Sequence, residues 1–262
     1  MKGMVMWMLL LMTTGTAEAR LVTRTVDYRQ GDTTLEGYLA YDDSVSGRRP
    51  GILVVHEWTG LGPYVRKRVE QLARLGYVAF GADIYGKGIR PATQEAAARE
   101  AGKYKGDRPL LRARVRAGLD ELIKQPQVDP KNLAAIGYCF GGTAVLELAR
   151  SGADIKGVVS FHGGLDTPTP GDARNIKARV LAMQGADDPF VPPAQRAAFM
   201  DEMRGGGVDW QFITYGGAVH SFTNPDAGND NSKGAAYNAK ADQRSWGAMR
   251  LFFDELFGSE KR

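Results

Sequence analysis

The run Ile136-Gly137-Tyr138-Cys139-Phe140-Gly141-Gly142 reads as a strand, then Gly-x-Cys-x-Gly, then the start of a helix. This is the nucleophile-elbow pattern with cysteine in place of serine. Glycines at 137 and 141 let strand and helix close on each other around a sharp turn, which leaves the Cys139 side chain exposed with its sulfur near a helix N-terminus. That field favours thiolate, the reactive form. The same turn aims the Phe140 backbone N–H at a reacting carbonyl as half of an oxyanion hole. By residue type alone a single cysteine is a small buried hydrophobe. Flanking glycines at a strand-to-helix turn favour the nucleophile instead.

An elbow needs an acid and a histidine downstream, in that order. His220, in Gly216-Gly217-Ala218-Val219-His220-Ser221-Phe222, lies after a strand and a glycine-rich turn, in a loop setting suited to a side chain aimed into a cleft. The acid comes from Gln184-Gly185-Ala186-Asp187-Asp188-Pro189, where one aspartate orients the histidine and the other caps a turn. Spacing does not choose between Asp187 and Asp188. A further polar pair, His56-Glu57, closes the apolar run Gly51 to Val55, where the second oxyanion-hole amide of such folds arises, and Glu57 would sit beside the thiol. Position 60 is Gly, so the His-Glu pair lacks the second histidine of a zinc-protease helix.

The elements that must hold these residues alternate along the chain. Two half-exposed strands, 22–26 and 35–39, form a hairpin over Gly31-Asp32. Strands at 51–55, 77–80, 133–136, 155–161, 178–183 and 209–214 are separated by helical spacing at 65–75, 92–104, 110–123, 143–150 and 194–203, and a last helix spans 239–257. This predicts an α/β fold with a mainly parallel sheet covered on both faces, preceded by an antiparallel start. The candidate residues then fall at strand C-terminal ends, where open parallel sheets bind ligands. The basic stretch Arg108 to Arg116 reads as the solvated face of a helix. The segment 224–237, rich in Asn, Asp and Gly, fits either a surface loop or a flap.

Composition narrows the function. The 262 residues are 43% hydrophobic and 24% charged, which excludes a disordered or coiled-coil chain. A single Cys excludes an internal disulfide and a cysteine-cluster zinc site, and three His leave little for a histidine metal centre. No metal or organic cofactor is called for. The net charge of +4 is scattered among acids, giving no basic patch for nucleic acid. Lys2, the apolar run Met4 to Met12 and Ala17-Glu18-Ala19 outline a secretory signal peptide cleaved after Ala19. The expected product is one domain, 20–262, exported to the periplasm or secreted, with no stable membrane anchor.

The motifs Val55-His56-Glu57-Trp58-Thr59-Gly60-Leu61, Ala82-Asp83-Ile84-Tyr85-Gly86, Gly137-Tyr138-Cys139-Phe140-Gly141-Gly142, Gly185-Ala186-Asp187-Asp188-Pro189-Phe190-Val191-Pro192 and His220-Ser221-Phe222 resemble those of the dienelactone hydrolase family. The resemblance implies an α/β-hydrolase fold with a sheet of about eight strands, and a triad of Cys139, Asp188 and His220. It further implies thiol activation by Glu57 and an oxyanion hole from the Trp58 and Phe140 amides. Founding members open a carboxylate-bearing enol-lactone and hold that carboxylate with two arginines. Lys87 stands near one of those positions and Asn224 at the other. Tyr85, Lys87 and His162 are the expected substrate-binding residues. The expectation is a cofactor-free hydrolase of small esters or lactones. A broad short-chain carboxylesterase, and a thiol-based binding or redox module, are the rival readings.

Overall fold

The computed structural model describes residues 20–258; residues 1–19, the expected signal peptide, lie outside them. The chain opens with a hairpin, β1 (Leu21–Gln30) and β2 (Thr33–Asp42), paired antiparallel from Leu21↔Asp42 to Gln30↔Thr33. Six more strands follow: β3 (Arg49–Val55), β4 (Val78–Ala82), β5 (Val128–Tyr138), β6 (Gly157–Phe161), β7 (Arg179–Gly185) and β8 (Trp210–Tyr215). They form one eight-stranded sheet in the order β1-β2-β4-β3-β5-β6-β7-β8. β2 joins β4 antiparallel, and every pair from β4 onward is parallel.

Side chains alternate across a strand, so a strand buried on both faces must be apolar throughout. In β3, Leu53 and Val55 enter one core layer while Ile52 and Val54 enter the other. The first layer is closed by α2 (Gln94–Gly106), α3 (Arg108–Ile123), α4 (Phe140–Arg150) and α5 (Pro193–Gly206), which contribute Ala101, Leu111, Val145 and Phe199. The second is closed by α1 (Pro63–Arg74) and α6 (Ala239–Phe257), through Val69 and Phe253.

One sequence expectation changes, and the open choice over 224–237 narrows. The Arg108 to Arg116 stretch is not a uniformly solvated face: Arg108 and Arg114 are buried, and Arg112 ion-pairs with Glu147 and Asp172. Charge density alone does not report which guanidinium finds a carboxylate on a neighbouring element. The pairs extend inward to Arg150, fully buried at the end of α4, which donates to both carboxylate oxygens of Glu202 at 2.8 Å, to Glu147 at 3.0 Å and to the Leu165 carbonyl at 2.9 Å. The segment 224–237 forms two 3₁₀ turns, Pro225–Ala227 and Asn231–Lys233, tied to the loop of His220. The His220 amide donates to Gly234 O at 3.1 Å and the Ala236 amide to His220 O at 3.0 Å, and Asn224, Asp226, Lys233 and Ala235 line the cleft.

Candidate active site

β5 delivers Cys139 into the turn and α4 leads away from it, so Cys139 caps the helix N-terminus with φ 54° and ψ −117°. A non-glycine residue adopts such a backbone only where its surroundings hold it there. The holding is visible in the flanking glycines. A Cβ on Gly137 would lie 2.0 Å from Gly141 O, and one on Gly141 would lie 2.2 Å from Val55 O. The Cys139 amide donates to both Phe161 O, at 3.0 Å, and His162 Nδ1, at 3.1 Å. The Phe140 amide opens α4 and has no acceptor within its own helix.

The loop after β7 supplies the acid and the loop after β8 the histidine. Asp188, whose side chain is wholly buried, accepts from His220 Nδ1 at 2.9 Å through Oδ2. Its Oδ1 accepts from the Phe190 amide at 2.8 Å. Asp187 is exposed and takes the Gly217 amide at 3.1 Å. The geometry therefore separates the two aspartates: one meets the imidazole, the other caps a turn. Burial acts against charge on His220, but the Cys139 sulfur and the Asp188 carboxylate outweigh it and push the ring up to about 10. An imidazolium held this way stabilises a thiolate partner.

The loop after β3 brings His56, Glu57 and Trp58 to the same end of the sheet. Burial pushes His56 down to about 4, so the ring is neutral. Its Nε2 accepts from the Ile84 amide at 3.2 Å, which leaves Nδ1 to donate to Glu57 O at 2.6 Å. His56 is thus a tie between the ends of β3 and β4. Glu57 is buried, and burial raises its carboxyl to about 6 against the lowering effect of Asn224. Asn224 Nδ2 donates to Glu57 Oε2 at 2.7 Å, while Oε1 is buried without a hydrogen-bond partner. Glu57, Trp58, Tyr64, Cys139, Phe140 and His220 all line one cleft of about 800 Å³.

A model of the dienelactone hydrolase family matches residues 35–257. The chain belongs to the dienelactone hydrolase family. Among solved structures it is similar to a dienelactone hydrolase-like promiscuous phosphotriesterase from metagenomic libraries, with 44% identity and a TM-score of 0.87 over 92% of this chain and 100% of the other. A candidate carboxymethylenebutenolidase of Synechocystis is 29% identical over 84% of this chain and 91% of its own. An uncharacterized Caenorhabditis elegans protein is 38% identical over 56% of this chain and 94% of its own. The chain is a hydrolase of this family, with the α/β-hydrolase fold.

Three expected substrate-binding residues of this dienelactone hydrolase-family chain lie outside the cleft lining. Lys87 is half-exposed and ion-paired with Asp27 of β1, because the turn after β4 leads its long side chain over the hairpin. Tyr85 is buried and donates its hydroxyl to Trp58 O at 2.9 Å, bracing the β3 loop from behind. His162, with φ 40°, is fully buried behind Cys139. Burial and the neighbouring His220 hold it well below the usual histidine range. Its Nδ1 accepts from the Cys139 amide, so Nε2 carries the proton and donates to Thr223 Oγ1 at 2.7 Å.

Thr223 and Tyr64 are absent from the sequence reading. Thr223 Oγ1 also bonds the Tyr64 hydroxyl at 2.6 Å, and its carbonyl accepts from Arg68 at 2.7 Å. One short loop therefore carries His220, reaches the Cys139 amide through Thr223 and His162, and reaches Glu57 through Asn224. The signal in the sequence was the polar pair Thr223-Asn224 immediately after His220-Ser221-Phe222.

Proposed function

We propose that the chain is a cofactor-independent hydrolase of carboxylic esters, lactones included, acting through an acyl-thioester on Cys139. The observation that carries the reading is the strained Cys139 turn in the same cleft as the hydrogen-bonded His220–Asp188 pair. The Cys139 thiolate adds to the substrate carbonyl, and the amides of Trp58 and Phe140 stabilise the resulting oxyanion. Collapse breaks the carbon–oxygen bond, and the leaving alkoxide takes the proton from His220. Water then attacks the thioester while His220, oriented by Asp188, accepts its proton. A second collapse releases the carboxylic acid and restores the thiolate. Glu57 sits where it can hold or remove the thiol proton before substrate arrives.

A second reading concerns phosphotriesters, and the 44%-identical relative named as a phosphotriesterase favours it. Both are tested with a panel of p-nitrophenyl esters, simple and carboxylated lactones, and a neutral p-nitrophenyl phosphotriester. Turnover of an ester or lactone that Cys139→Ala abolishes is the expected result. Full activity in Cys139→Ala would remove the assignment. Turnover of the phosphotriester alone would select the second reading. Reversible thiol oxidation with no hydrolysis would favour a redox module. We also propose export with cleavage after Ala19, which mass spectrometry of the mature N-terminus would check.

A further inference from the structure

The charges around Cys139 are arranged unevenly. Among the described residues lining the cleft, the lysines, Lys105 and Lys233, are both exposed at the rim, and no arginine lines it. Asp166 and Asp226 are also exposed, and Asp166 is already paired with Arg108 at 2.8 Å. The buried charges are different. His220 is a cation when it faces a thiolate, but Asp188 lies 2.9 Å behind it and compensates. Glu57 is less balanced: its one hydrogen-bonded side chain is the neutral amide of Asn224, its Oε1 is buried without a hydrogen-bond partner, and the cations that act on it through space, His220 and Arg68, are already paired with Asp188 and Asp242. The remaining wall is largely aromatic and apolar, with Trp58, Tyr64, Phe140, Phe190 and Val191.

We infer that Glu57 makes the cleft selective for uncharged groups: it rejects substrates that carry a carboxylate near the reacting carbonyl and admits neutral esters and lactones. This rests on the proposed reading of Cys139 as the reacting thiol. The physical reason is that a second carboxylate beside Glu57 would meet like charge with little water between them, and the exposed rim lysines are too well screened to offset it. Lys87 does not help, since it is paired with Asp27 on the outer face of the hairpin. The inference assigns Glu57 a role in choosing substrate in addition to holding a proton.

The single Cys of the chain provides a readout that needs no ester hydrolysis. Cys139 is alkylated at pH 8 and low ionic strength with iodoacetamide or with iodoacetate, which have nearly the same size and differ in charge. Each forms an Sγ–carbon bond and releases iodide. The rate ratio, neutral over anionic, is compared with that of free cysteine, so that any change in thiolate fraction cancels. The expected ratio exceeds that of free cysteine by about tenfold or more. Glu57→Gln returns it to within about threefold of free cysteine. Asn224→Lys, which sets an ammonium on the same carboxylate, also lowers it and serves if Glu57→Gln does not fold. A wild-type ratio at or below that of free cysteine would overturn the inference, and so would a ratio unchanged in both variants. Ester hydrolysis that persists in Cys139→Ala, with the ratio intact, would sink the proposed reaction and leave the charge selection standing.

Discussion

At the scale of the residue, two adjacent aspartates illustrate how burial and partner separate chemically equal groups. Asp188 is wholly buried against His220, and Asp187 is exposed on the Gly217 amide. Asp188→Asn keeps the shape but cannot hold the imidazole in the same tautomer, so kcat/KM should fall by about two to four orders of magnitude. Asp187→Asn should stay within about threefold of wild type in the same assay, since it loses only an exposed turn contact. Glu57 makes a prediction about stability. Its carboxyl is raised from 4.5 to about 6 by burial, so the native state resists ionising it. The stabilising effect of the protonated form is fully present below pH 4.5 and is lost as pH rises through about 6. Above that window the buried anion costs about 2 kcal/mol. Urea unfolding should therefore find Glu57→Gln more stable than wild type at pH 8 and similar to it near pH 4. Equal stability at pH 8 would mean that the carboxylate is better solvated than its burial indicates.

At the scale of the element, the elbow is a turn held away from its own preference. Cys139 sits at φ 54° and ψ −117°, a conformation that costs an L-residue about 1–3 kcal/mol and glycine much less. Cys139→Gly should therefore be more stable to urea than Cys139→Ala by about 1 kcal/mol, the reverse of the ordinary order within regular structure. The same turn shows what was legible in the sequence. β3 was readable because burial on both faces demands an unbroken apolar run, and the Gly-x-Cys-x-Gly pattern was readable because two backbones must approach within van der Waals contact. The start of α4 at Phe140 was not, since Gly141-Gly142 carries no helical periodicity and the helix begins there because the elbow feeds it. The bond from His162 to Thr223 joins positions 61 residues apart, so no local pattern announces it. Lys87, which the resemblance sets near a carboxylate-holding position, meets Asp27 instead, because the path of the turn after β4 decides where the amine goes.

At the scale of the whole molecule, the parallel sheet gathers the loops after its six parallel strands at one end, and the layers of helix on its two faces fix their spacing. On the α3–α5 side that fixing is partly ionic. Arg150 joins Glu147 of its own helix to Glu202 of α5 and to the Leu165 carbonyl, and Arg112 of α3 completes the set through Glu147 and Asp172. Removing the central guanidinium leaves the buried Glu202 without its cation and Glu147 with Arg112 alone. Arg150→Ala should lose about 3–5 kcal/mol in urea unfolding. A loss under about 1 kcal/mol would show that water or local rearrangement replaces the pair. All of this structure serves the claim that Cys139 carries the acyl group, and trapping that intermediate tests it most directly. Wild type and Cys139→Ala are mixed with p-nitrophenyl acetate, quenched during the first turnover and mapped by mass spectrometry. A burst of p-nitrophenol is expected in wild type, with the acetyl group on the peptide holding Cys139, and neither in the variant. An acetyl group on another residue, or an equal burst in Cys139→Ala, would contradict it.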